Sequence, residues 1–310
     1  MELHTEQGLT EALQYIEQGN PVHARDILGA LLENDLTSTE LIFTARCCTF
    51  WTHAVERMEH IETPYERGES LLGEWKTYLS FIAPEKTPYE PALFAVQRGV
   101  FSRALAQYQL LFDDREPLQR ADAYWRAGIC YKKLGQFDNA KNCLSRANDI
   151  HRDFAPLIAE LADCYCLCGE DRPGKLLFRE AFFLEPERID LNFLDSALIR
   201  RLIERTAEKG YSGPALHVWL PVYGVLWGIF NITRELRSQE VVKLKQDIYA
   251  LENELKEPGC EDTVVMPRLI NRYFWLIDYY SSTADNSKKI NEVLLKIKIL
   301  DSTIYDLYVQ

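Results

Sequence analysis

The densest cluster of reactive side chains in this 310-residue chain is Cys164-x-Cys166-x-Cys168. Thiols grouped in this way grip soft metals or exchange disulfides, provided that three or four ligands converge on one point. On a helix, Cys164 and Cys168 lie one turn apart while Cys166 points to another side, so convergence would require unwinding. Cys130 also recurs as Cys164 at an offset of 34 residues, which points to a position that takes a small buried side chain. Six histidines stand at 4, 23, 53, 60, 151 and 217. Of these, His53 and His60 share a helix face at best, and two ligands do not close a metal site. The sequence has no GxGxxG, Walker A, GxSxG or HExxH motif, and no carboxylate pair stands out from a solvated background. The expectation is a protein without catalysis, metal or cofactor.

Charge and composition narrow the partner. Hydrophobic residues at 47% and charged residues at 26% fit a folded protein and exclude a disordered tail. A net charge of −12 opposes a duplex-binding surface, so no nucleic acid is expected. The charge is uneven, because residues 1–83 hold 5 Lys/Arg against 14 Asp/Glu, and this end reads as a solvated face or as a docking surface for a basic partner. The start Met1-Glu2-Leu3-His4-Thr5-Glu6 shows no basic, then apolar, export signal, and eight cysteines without such a signal read as free thiols in the cytoplasm. The longest apolar stretch, from Ala215 to Phe230, spans about 24 Å as a helix against roughly 30 Å of bilayer hydrocarbon. It reads as a buried helix, with an interfacial membrane segment as the alternative.

The elements that carry these residues repeat. At an offset of 34, Cys130, Tyr131, Gly135 and Ala147 recur as Cys164, Tyr165, Gly169 and Ala181. In the first unit Tyr124, Ala127, Gly128 and Tyr131 precede Gly135, Phe137, Ala140, Leu144 and Ala147. In the second, Ile158, Leu161, Ala162 and Tyr165 precede Gly169, Gly174, Phe178, Ala181 and Pro186. Small residues at 128 and 140 let two helices approach, Gly135 permits a left-handed turn, and Pro186 ends the unit. Over residues 121–188 the chain resembles the tetratricopeptide-repeat (TPR) family, whose helix–turn–helix units bury their apolar faces only by stacking.

Flanking segments extend the pattern. Gly19, Pro21, Ala24, Leu28 and Leu31 fit a unit near residues 5–36, and Gly99, Phe101, Ala104 and Tyr108 fit the turn and second helix of a unit starting near 85. A divergent pair of helices, about 38–61 and 64–82, lies between them, with Gly68 at a close contact. Gly210, Ala215 and Trp219 suggest a further unit with a long first helix at about 191–208. Beyond residue 220 the repeat fades into two heptad stretches, Val241 to Leu255 and Ile290 to Leu307, joined to an aromatic helix by loops at 256–263 and 281–288. Short seams of this kind read as internal packing, with a homo-oligomer contact as the rival. The expected architecture is an all-α helical-repeat superhelix over 1–220 and a C-terminal helical block over 221–310, acting as a cap or an oligomerisation element.

The resemblance implies a protein- or peptide-binding scaffold, as adaptor, assembly factor or co-chaperone. It places a concave groove along the first helix of each unit: Tyr89, Leu93 and Val96, then Trp125, Ile129, Lys132 and Lys133, then Ala159, Asp163 and Cys166, with Arg200 and Glu204. The Lys and Asn clamp by which some members hold acidic chaperone tails is absent, since Trp125, Ile129, Ala159 and Asp163 occupy those positions. The alternative is a small apolar ligand between stack and cap, among Trp219, Tyr223, Trp227, Phe274 and Trp275.

Overall fold

The computed structural model describes residues 2–58, 60–283 and 287–310, with side chains from residue 5 onward. Met1, the His4 side chain, Glu59 and residues 284–286 of the expected 281–288 loop lie outside the described residues. Among those described there are fifteen α-helices and no strand. The chain divides into two compact units, residues 1–151 and 152–310. The first contains α1 (Glu2–Glu17), α2 (Pro21–Asn34), α3 (Thr39–Met58), α4 (Pro64–Ile82), α5 (Glu90–Gln109), α6 (Pro117–Lys133) and α7 (Phe137–Ile150). The second contains α8 (Ala155–Leu167), α9 (Asp171–Leu184), α10 (Ala197–Ala207), α11 (Gly213–Leu226), α12 (Ser238–Glu254), α13 (Asp262–Ser282), α14 (Ser287–Leu300) and α15 (Ser302–Val309).

Three helical hairpins, α1/α2, α6/α7 and α8/α9, follow one residue scheme. Each turns on a glycine in the left-handed region, with φ of +74° at Gly19, +75° at Gly135 and +78° at Gly169. The glycine N–H bonds back to Ile16, Lys132 or Cys166, and the following N–H bonds to Tyr15, Tyr131 or Tyr165, all at 2.8–3.0 Å. These bonds satisfy the carbonyls that a helix end leaves without partners. The residue pairs Ala12 with Ala24, Gly128 with Ala140, and Ala162 with Gly174 occupy matching buried positions. A Cβ on Gly128 would lie 2.6 Å from Leu144 Cγ, and one on Gly174 would lie 2.9 Å from the Ala162 carbonyl oxygen, so hydrogen there is what lets the helices approach.

The first unit departs from the expected repeat in its middle. Gly99 is not a turn: it lies inside α5, which runs unbroken from Glu90 with Pro91 in its first turn. A Cβ at residue 99 would overlap the Ile16 carbonyl oxygen, so the glycine serves a close helix crossing between α1 and α5. Arg103 Nη1 donates to the Gly19 carbonyl at 2.6 Å across the same crossing. Gly68 lies under the Tyr108 ring, at the close contact expected for it. Helices α3 and α4 begin and end close to the expected 38–61 and 64–82, with Thr63 capping α4 and Pro64 in its first turn.

In the second unit the chain does not change character at residue 220. Val218, Trp219, Leu220, Val222 and Tyr223 of α11 share one apolar core with α9, α12 and α13, within the compact unit 152–310. The expected long helix at 191–208 is instead a short 3-10 turn, Leu191–Phe193, followed by α10. Its start is set by Asp163, whose carboxylate accepts the Asp195 and Ser196 backbone N–H groups at 2.8 Å each. Both heptad stretches pack into this core through Leu244, Ile248, Leu251, Val293, Ile297 and Ile304. Asp301 interrupts the second stretch by capping α15, accepting from the N–H groups of Thr303 and Ile304 at 2.8 and 3.0 Å.

Candidate functional site

An open apolar groove runs between α3 and its neighbours in the first unit. Helix α3 packs extensively on α2 and only sparsely on α4, whose main partner is α5, so a trough opens along α3. Leu32 of α2, Leu36 of the α2–α3 loop, Ile42, Ala45, Arg46, Thr49, Phe50 and His53 of α3, and Phe81 of α4 line it, around a volume of about 690 Å³. Leu36, Ile42 and Phe81 are 74%, 40% and 38% exposed. Phe50 forms the floor, stacked on Phe81 with ring centres 5.2 Å apart and braced by Tyr78 at 5.4 Å and Trp51 at 5.5 Å. Beneath it the Tyr78 hydroxyl bonds to Cys47 Sγ at 3.2 Å, and burial pushes the Cys47 thiol pKa up.

The groove walls are fixed by local polar bonds. The Asp35 carboxylate accepts from the Thr37 N–H, the Thr37 hydroxyl and the Ser38 N–H at 2.8–3.2 Å, folding the loop into a turn that holds Leu36 outward. Those bonds, led by the Thr37 N–H, also lower the Asp35 pKa. The Arg46 guanidinium lies 5.5 Å from the Phe81 ring centre and donates to Glu85 at 2.8 Å. Helix α3 thus carries two apolar stripes. Leu41, Thr44, Cys48, Trp51 and Met58 face the interior, and Ile42, Ala45, Thr49, Phe50 and His53 line the trough.

The side chains expected to form a groove are divided between the two units and differ in burial. Val96, Ile129, Lys132, Lys133 and Asp163 are buried and do not form an open surface. Val96 lines a small cavity with Ile16, Trp51 and Leu71 inside the first unit, while Asp163 holds the start of α10. Tyr89, Leu93, Trp125 and Cys166 are half-buried, and Arg200 and Glu204 are exposed. Arg200 pairs with Asp195 at 2.7 Å, and the Arg126 guanidinium lies 4.0 Å from the Trp125 ring centre. The expected groove positions are thus buried or half-buried in the first unit, and a mixture of buried, half-buried and exposed side chains in the second.

The chain matches no protein-family model and no curated protein sequence.

Two polar clusters escaped the sequence reading, and both bind helices together. Glu69 of α4 accepts from the Tyr108 hydroxyl and from Arg126, each at 2.8 Å, joining α4, α5 and α6. In the second unit Arg179 pairs with Asp278 and donates to the Phe230 carbonyl at 2.9 Å, while Arg272 donates to the Phe183 carbonyl at 2.5 Å. Burial raises the Asp278 pKa, and the Arg179 charge opposes that shift. The aromatics expected to hold a small ligand pack on other rings: Trp219 on Tyr211 at 4.7 Å, Tyr223 on Trp227 at 4.8 Å, Phe274 on Tyr308 at 4.5 Å and Trp275 on Phe183 at 4.4 Å. Among the described residues, no group of three or more His, Cys, Asp or Glu could hold a metal ion, and no helix is long and apolar enough to cross a membrane.

Proposed function

We propose that this chain is a tetratricopeptide-like scaffold that binds a protein or peptide partner in the α2–α3–α4 groove, without catalysis of its own. One observation carries the reading: a trough with Leu36, Ile42 and Phe81 turned to solvent beside a floor of Phe50 packed on Tyr78 and Trp51. Aliphatic and aromatic side chains held in fixed positions are what interfaces use as anchors, because little conformational entropy is lost when a partner covers them. Three hairpins in one register support the family resemblance. The cytoplasm fits eight free cysteines, five of them buried as small apolar side chains.

Selection of a random 16-residue peptide library on the immobilised full chain tests the proposal. Enriched peptides should bind the intact chain and lose binding to Leu36→Asp and Phe81→Asp variants that still unfold cooperatively. Failure to enrich any peptide, or enriched peptides that bind both variants undiminished, would contradict it.

A further inference from the structure

We infer that the groove takes the apolar face of a short basic amphipathic helix. This rests on the peptide-binding reading above and names the class of partner.

Backbone chemistry argues for a helix. An extended peptide laid in the trough would bury its own N–H and C=O groups against walls with few partners for them. The α3 backbone is helical and already bonded within itself. Of the three polar side chains in the lining, Thr49 donates to the Ala45 carbonyl at 2.8 Å, Arg46 donates to Glu85, and His53 is turned to solvent. A helix satisfies its own backbone and presents apolar side chains at i, i+3, i+4 and i+7, the spacing that a trough of this kind accepts.

Charge sets the sign of its flanks. Glu33, Asp35 and Glu40 stand beside the lining residues Leu32, Leu36 and Ile42 along the chain and are turned wholly or partly to solvent. Glu85 closes the Phe81 end, where it neutralises Arg46. The surrounding 83 residues carry nearly three acids for each base, 14 against 5. Hydrogen bonds hold the Asp35 and Glu40 carboxyls below their ordinary pKa, so the rim stays anionic at neutral pH. Lysines flanking an apolar helical face complement that rim, glutamates do not, and an anionic membrane surface is repelled.

Two fluorescein-labelled 18-residue peptides provide the test. They share one Leu/Ile face at helical spacing and differ only in carrying Lys or Glu on the flanks, and anisotropy is read with the full chain. The Lys peptide should bind at least about tenfold tighter than its Glu twin, and the difference should shrink as salt rises to about 0.5 M. Leu36→Asp should weaken the Lys peptide about tenfold or more, and this loop position tolerates the change even if Phe81→Asp misfolds. Glu33→Lys with Glu85→Lys should erase the preference. Equal binding of the twins, indifference to Leu36→Asp, or binding only to vesicles containing anionic lipid would overturn the inference. So would self-association of the chain through this groove that excludes the Lys peptide. Library selection yielding groove-dependent peptides of another class would overturn this inference alone, whereas selection yielding none removes the peptide-binding reading with it.

Discussion

The two units use close glycine contacts and buried polar bonds alike, but lean on them to different degrees. In the first, backbones approach where side chains are missing: Gly99 of α5 touches the end of α1, Gly68 of α4 lies under Tyr108, and Gly128 of α6 receives Leu144. In the second, long cations reach across the core. Arg272 and Asn271 of α13 bond to the Phe183 and Phe182 carbonyls in the last turn of α9, and Arg179 holds the Phe230 carbonyl and Asp278. Side chains there do what a capping turn does elsewhere, satisfying carbonyls that the helix end leaves open. Packing of α11 to α15 around those bonds buries Trp219, Phe230, Tyr273, Phe274 and Trp275, whereas the first leaves one stripe of α3 uncovered between α2 and α4. The uncovered stripe is where recognition is proposed.

The largest effect should come from breaking a cation in the second unit. Arg179→Met leaves Asp278 without its partner in a mostly buried position and should cost about 3–5 kcal/mol in chemical denaturation. Adding Asp278→Leu should recover most of that loss, and failure to recover would show that Arg179 acts through the Phe230 carbonyl or by packing and not through Asp278. Next comes the close crossing in the first unit. Gly99→Val places a branched side chain against the Ile16 carbonyl and should cost about 2–3 kcal/mol. A neutral result would mean that α1 does not depend on that approach. Gly135→Ala meets no neighbouring atom but forces an L residue to φ near +75°, for about 1 kcal/mol by the same measurement.

The smallest effect is electrostatic. Hydrogen bonding from Arg234, at 2.6 Å, holds the Glu240 pKa at about 2, below its ordinary 4.5. A lowered carboxylate pKa contributes stability that is present above 4.5 and is lost as pH falls from there toward about 2. Both side chains remain partly solvated, so the contribution should stay below about 1 kcal/mol. Thermal melts of wild type and Glu240→Gln should differ at pH 7 and converge near pH 2. A constant gap across that range would remove the pair from the account.

What the sequence made legible follows from how few residue types can do a given job. Gly19, Gly135 and Gly169 were readable as turns because the left-handed conformation favours glycine, and matched small residues at 128, 140, 162 and 174 signal close helices. Gly99 misled because glycine serves a turn and a helix crossing equally well, and only the partner, Ile16, tells them apart. The core that α11 shares with α13 was hidden because α11 reads in the sequence as one more repeat helix. Asp163 occupied a groove position by register, yet its carboxylate is consumed by two backbone N–H groups of a loop 32 and 33 residues away. The α3 trough had a signal in the spacing of Ile42, Ala45, Thr49, Phe50 and His53, a second stripe that a single buried face does not need.

Hydrogen exchange of the full chain with and without a library-selected peptide tests the central claim most directly. New protection should fall on the end of α2, the α2–α3 loop, α3 and the last turn of α4, and should vanish in Leu36→Asp. Protection centred instead on α5 and α6 around Tyr89 and Trp125, with none along α3, would contradict the assignment of recognition to this groove.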